Sequence, residues 1–148
     1  MLPKYWRLRM KWDADQTLTY DSGARISIRM MPWNLNSSGA LVYGTVITDD
    51  LGFGAGESIV DEGEVEGTVI DNTVNLYFGV QGTFEVTADV TSTDGTAYLY
   101  VEESDDNSTW PSDQADFDVT DLHLICALPM STDAVDEDRA KNFAYGWQ

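Results

Sequence analysis

Two acidic runs, EESDDNSTW (102–110) and DQADFDVTD (113–121), hold the densest array of oxygen donors in the chain. Carboxylates, amides and hydroxyls at alternating loop positions are what calcium asks for, since it takes roughly six to eight oxygen ligands. The second run lacks the glycine and the distal glutamate of an EF-hand loop. With 26 acidic residues in 148, such clusters also arise by chance. Calcium is therefore a secondary option, and neither a cofactor nor a metal-ligand set is predicted. A pair of carboxylates close enough for glycosidic acid/base work would form in any fold of so acidic a chain, so it does not single out an enzyme. His123 and Cys126 are the only residues of their kinds. That removes a histidine metal cluster, a histidine-based triad, a cysteine zinc site and an internal disulfide. Cys126, inside DLHLICALPM, reads as a buried thiol. The glycines of DDLGFGAGES (49–58) have neither the lysine of a P-loop nor the spacing of a dinucleotide site, so this segment is expected to be a flexible loop that exposes Phe53. No catalytic residue is predicted.

Binding is the chemistry that remains. Trp6, Trp12, Trp33, Trp110 and Trp147 are numerous enough to suggest aromatic platforms. Tryptophans also fill cores and subunit interfaces. The best platform candidate is Trp110, which follows Asp105, Asp106 and Asn107 in what reads as a loop, and these four residues with Phe53 form a possible ligand loop.

The charge is unevenly divided. Net charge is -18, yet the first 29 residues carry Lys4, Arg7, Arg9, Lys11, Arg25 and Arg29 against only Asp13, Asp15 and Asp21. From Met30 to Asp138 there is no lysine or arginine, and the remaining 23 carboxylates fall there; Arg139 and Lys141 follow. Such a surface repels nucleic acid and attracts basic partners. No run approaches the length that spans a membrane, and the Met1 end has no apolar stretch of signal-peptide size. The chain is expected to act without secretion, bound to neither membrane nor nucleic acid.

The elements that would position these residues are strands. Trp6, Leu8, Met10 and Trp12 share one parity, and Tyr5, Arg7, Arg9 and Lys11 the other, which in an extended strand makes one apolar and one cationic face. RISIRM repeats the pattern, so 5–12 and 24–30 are expected to carry one cationic stripe, as a pair of basic N-terminal strands within 1–30. Further strands are expected at 40–47, 65–70, 74–80, 83–90, 96–103 and 122–128, with turns at Asp71-Asn72, Gln81-Gly82 and Asp94-Gly95, the last a hairpin signal. In 131–148, candidate caps, early acids and later bases match a short helix followed by a tail with Tyr145 and Trp147. The expected fold is all-β: one domain over 1–148, an antiparallel β-sandwich or jelly roll of about eight strands with a short C-terminal helix. The N-terminal segment reads as an interface arm. Arg7, Arg9, Lys11, Arg25 and Arg29 would face an acidic sheet that is either the chain's own or a neighbouring copy's; in the second case Trp6, Leu8, Met10 and Trp12 would fill the neighbour's pockets, joined by the terminal aromatics Tyr145 and Trp147.

The stretch GTFEVTADVTSTDGTAYLYVEESDDNSTWP (82–111) resembles small β-sandwich structural proteins of tailed bacteriophages, in which a strand pair runs through a Ser-Asp-Asp turn to Trp-Pro. Here Tyr98 to Glu103, Ser104 to Thr109, then Trp110 and Pro111 carry the likeness. It implies a virion component of the capsid-decorating, head-fibre or tail-accessory kind, assembled in a host cytoplasm as a homo-oligomer that binds other virion structural proteins. The alternative in a different class is a carbohydrate- or host-surface-binding module, such as part of a tail fibre or baseplate.

Overall fold

A computed structural model of the chain describes residues 1–20, 25–88, 95–130 and 137–146, and of Glu137 and Asp138 the backbone alone. Its strands are β1 (Tyr5–Asp13), β2 (Leu18–Thr19), β3 (Arg25–Leu35), β4 (Leu41–Tyr43), β5 (Ile47–Asp49), β6 (Ser58–Ile59), β7 (Gly63–Glu66), β8 (Ile70–Asp71), β9 (Gly79–Ala88), β10 (Thr96–Ser104), β11 (His123–Pro129) and β12 (Glu137–Gly146). Every pairing is antiparallel. The first large sheet runs β11-β10-β1-β7, with β8 also on β1; the second runs β12-β9-β3-β4, with β5 also on β3; β2 and β6 form a short ribbon.

The parity read in the sequence decides which side of each strand is buried. Trp6, Leu8, Met10 and Trp12 of β1 and Ala97, Leu99 and Val101 of β10 supply the apolar side of the first sheet. Ile26, Ile28 and Met30 of β3, Val80, Phe84 and Val86 of β9 and Phe143 of β12 supply that of the second. These side chains join one continuous hydrophobic cluster. Gly82 shows how closely the second sheet is fitted. It faces Met30 on one side and Phe143 on the other, and a methyl added there would lie 2.5 Å from the Arg29 carbonyl oxygen and 2.9 Å from Met30 Cα. Both are backbone atoms of a paired strand and cannot swing aside. Gly82→Ala is therefore expected to destabilise the protein by about 1–3 kcal/mol, read as a lowered urea midpoint without loss of the strand signal in circular dichroism.

Several expectations need correction. The segments 5–12 and 24–30 do not pair: β1 lies between β10 and β7, and β3 lies in the other sheet between β9 and β4. Nor do β9 and β10 form a hairpin, because they also belong to different sheets; Asp94, half of the expected turn, lies outside the described residues. The expected strand at 74–80 is a turn region until β9 begins at Gly79. The C-terminal helix is overturned over 137–146, which is strand β12, paired along the whole of β9 from Glu137 opposite Ala88 to Gly146 opposite Gly79. The remainder of that expectation, 131–136 and the tail residue Trp147, lies outside the described residues. The charge order that suggested a helix is worth only tenths of a kcal/mol, against a full row of ladder hydrogen bonds and the burial of Phe143. Among the described residues the helical structure is two single turns of 3-10 type, Pro111–Asp113 and Val119–Asp121.

Candidate functional site

The cationic stripe of β1 meets its own chain's carboxylates. Cross-strand neighbours set this up: Arg7 is opposite Glu102 of β10, and Arg9 is opposite Glu66 of β7. Arg7 Nε donates to Glu102 Oε2 at 2.7 Å, and Arg9 Nε donates to the same oxygen at 3.1 Å. Arg9 also donates to Glu64 at 2.9 Å and to Glu66 at 2.5 Å, Arg7 pairs with Glu66 at 3.0 Å, and Lys11 pairs with Glu62. The segment 105–122, which leaves β10 and returns as β11, covers part of the stripe. Ser112 N donates to Glu102 Oε1 at 2.7 Å, and Ser112 Oγ accepts from Arg7 Nη2 at 3.1 Å. The Trp110 ring lies 4.4 Å from the Arg7 guanidinium carbon and the Phe117 ring 5.4 Å from that of Arg9, within cation–π range. Glu102 is completely buried under this cover. Burial alone would raise its pKa, but the hydrogen bonds from Ser112 and Arg7 outweigh that and hold it below the ordinary glutamate value.

This arrangement corrects the interface arm. Trp6, Leu8, Met10 and Trp12 are at most 1% exposed inside their own chain, and Arg7, Arg9 and Lys11 already have partners there. These seven side chains are therefore taken up within their own chain and are not available to insert into a neighbour. The proposed ligand loop is likewise not assembled. Phe53 is buried, packed edge-on against Tyr20 at 5.6 Å and 72° between planes. Trp110 is only 7% exposed, and its face is occupied by Arg7. Asp105, Asp106 and Asn107 are exposed. Asp106 Oδ1, however, accepts from Ser108 N at 2.9 Å and Thr109 N at 2.8 Å, and these bonds hold its carboxyl far below the usual carboxylate range. Asn107 sits at φ +60° within the same turn. Among the described residues no group of three or more His, Cys, Asp or Glu converges as a metal site. Cys126 is buried, and burial pushes its thiol pKa up. Tyr145, half-buried on β12, donates its hydroxyl to Glu103 and packs its ring 5.4 Å from that of His123, tying the edges of the two sheets.

The surface left unpartnered lies on the other sheet. Arg25 and Arg29, on the outward parity of β3, are exposed and have no carboxylate partner among the described residues. Beside Arg29 a shallow groove of about 660 Å³ runs over β3, β9 and β12, lined by Met31, Gln81, Thr83 and Asn142 among others. Beyond it the face turns apolar. Trp33 packs over Gly79, where a Cβ would lie 2.5 Å from its ring, and the hairpin β3–β4 carries Leu35, Leu41, Val42 and Tyr43, all more than one third exposed. One signal in the sequence marks this patch: from Met30 to Thr48 there is no Asp, Glu, Lys, Arg or His. A run of that length without charge stands out in a chain that is 23% charged, and the exposed Leu35, Leu41, Val42 and Tyr43 fall within it.

No protein family matches the chain, nor does any curated protein or solved structure.

Proposed function

We propose that this protein is a non-enzymatic structural subunit that binds neighbouring protein subunits, and that its setting is a bacteriophage virion, in a capsid-decorating or tail-accessory position. The observation that carries the binding reading is the uncharged end of the hairpin β3–β4, where Leu35, Leu41, Val42 and Tyr43 are exposed, on a chain of net charge -18. Soluble monomers blunt such an edge with charge; here the edge is apolar and its flanking face holds Arg25 and Arg29. The virion setting rests on the likeness of residues 82–111 to small phage structural proteins, and on reading the two large sheets as halves of an antiparallel β-sandwich. The docking element in this proposal is the β3–β4 end and not the N-terminal strand, and of the cationic residues expected at an interface Arg25 and Arg29 are the exposed ones beside it.

A second reading is favoured by one observation. Gln81, Thr83 and Asn142 beside Arg29 line the groove with amide, hydroxyl and guanidinium groups, the chemistry that recognises sugar hydroxyls on a carbohydrate or host surface. One experiment separates the two. Particles purified from an infected or induced host are probed for the protein by mass spectrometry, and the isolated protein is titrated with polysaccharide while tryptophan fluorescence is followed. Stoichiometric presence in particles with no saccharide response supports the structural subunit; absence from particles with a saturable response replaces it with the binding module.

A further inference from the structure

We infer that β4 is the pairing edge of a two-fold homodimer, in which two copies join their second sheets by antiparallel β4 to β4 contact centred on Val42. The inference rests on the subunit-binding reading above and names its partner. The ladder geometry fixes the register. Asn36 N donates to the Ala40 carbonyl and Gly44 N to the Pro32 carbonyl, at 2.9 and 2.8 Å, so the backbone groups of the even-numbered residues face β3. Strand alternation then turns the N–H and C=O of Leu41 and Tyr43 toward the open edge. β4 is the last strand of its sheet, and no backbone partner for that edge occurs among the described residues. If two copies meet so that Leu41 of one faces Tyr43 of the other, symmetry repeats the pair and all four outward groups on each copy are satisfied. Sliding the register by two residues leaves half of them unpaired.

The side chains fit the same register. Trp33 is opposite Tyr43 and Leu35 opposite Leu41 within one chain, and all four lie on the outward parity of the sheet. Across the two-fold each row becomes Trp33, Tyr43, then Leu41 and Leu35 of the second copy, so two exposed apolar ends become one continuous strip. Charge selects a second copy as the occupant. A two-fold contact places each patch against itself, so it is open to a chain of net charge -18 only where the local charge is close to zero. Met30 to Thr48 meets that condition, whereas a basic partner would be drawn to the carboxylate-rich surfaces elsewhere.

The test is sedimentation of the full chain over a range of concentrations. A species of twice 16.4 kDa is expected, and it should tighten between about 0.1 M and about 1 M salt, where the screening length falls from roughly 10 to roughly 3 Å. Leu41→Pro removes an outward N–H without touching the β3 ladder and is expected to weaken the dimer by about tenfold or more. Tyr43→Glu places two like charges across the axis and should abolish it. Thermal melting confirms that each variant is folded, and the second serves if the first is not. A wild-type chain that stays monomeric, or a dimer that both folded variants preserve, overturns the inference. A monomer that nonetheless co-purifies with particles would sink this pairing and leave the virion reading standing, while a Val42-centred dimer absent from particles would do the reverse.

Discussion

Deleting residues 1–12 is expected to yield no folded protein, and Trp12→Ala alone to lower stability by about 3–5 kcal/mol. β1 is an interior strand of its sheet, hydrogen-bonded to β10 on one side and to β7 and β8 on the other. Removing it separates the elements it joins and takes Trp6, Leu8, Met10 and Trp12 out of the core at once. A domain of this size is typically stable by about 5–15 kcal/mol, so the truncation has nothing to fall back on, and even the point substitution takes a large share. The two tryptophans differ in a way that sharpens the test. Trp12 Nε1 donates to the Gln16 carbonyl at 2.6 Å, whereas Trp6 Nε1 is buried without a partner among the described residues. Trp12→Phe should therefore cost more than Trp6→Phe, because the first loses a hydrogen bond and the second removes an orphan N–H. Urea midpoints of the two variants check the order, and limited proteolysis of the truncated chain checks the whole. A truncated chain with native near-ultraviolet dichroism would show that β1 is dispensable and restore the interface arm.

The faces of the strands were legible in the sequence, while their partners were not. Alternation in 5–12 correctly placed Trp6 and Trp12 on one side and Arg7 and Arg9 on the other, because the two-residue period of a strand is local. Which acidic strand would meet the arginines is not local: Glu102 is 95 positions from Arg7 in the chain, and no short-range pattern connects them. The same limit explains the false hairpin at Asp94-Gly95. A turn dipeptide reports that the chain reverses, not that the strands on either side share a sheet. The helix expected near the C-terminus failed because dipole-matching charges are weak beside the open edge of β9, which lies more than 40 residues upstream. Trp110 and Phe53 stand in segments whose composition reads as solvent-exposed loop, yet both are buried, because the exposure of a loop aromatic depends on where the loop packs and not on its local sequence. The uncharged run from Met30 to Thr48 was present in the sequence throughout. It is defined by what is absent, so neither propensity nor periodicity marks it.

Glu102 supplies the second large effect. Its two oxygens receive three hydrogen bonds, from Arg7, Arg9 and the Ser112 amide, and its side chain is wholly buried. Glu102→Ala would leave two guanidiniums facing an apolar gap and release the segment 105–122 from its anchor. Breaking a buried ion pair from one side costs about 3–5 kcal/mol; the lower end is expected here, since Arg7 keeps Glu66 and Arg9 keeps Glu64 and Glu66. Glu64→Gln, by contrast, touches a more exposed pair and should cost less than about 1 kcal/mol. The pH dependence has a definite sign. Because the folded-state pKa of Glu102 lies below its unfolded value, the stability it confers is fully present above the ordinary glutamate pKa of about 4.3 and is lost as pH falls through the folded value. The urea midpoint of the wild type should therefore drop more steeply below about pH 4.3 than that of Glu102→Gln, which has no proton to gain. A double-mutant cycle isolates the pairing from the burial: Arg7→Met with Glu102→Met should recover part of what Glu102→Met alone loses, since Arg7 is then no longer left charged at the gap while Arg9 keeps Glu64 and Glu66. Parallel acid profiles for wild type and Glu102→Gln would instead mean that folding does not lower the pKa of Glu102, and that the anchor of segment 105–122 is the packing of Trp110 on Arg7.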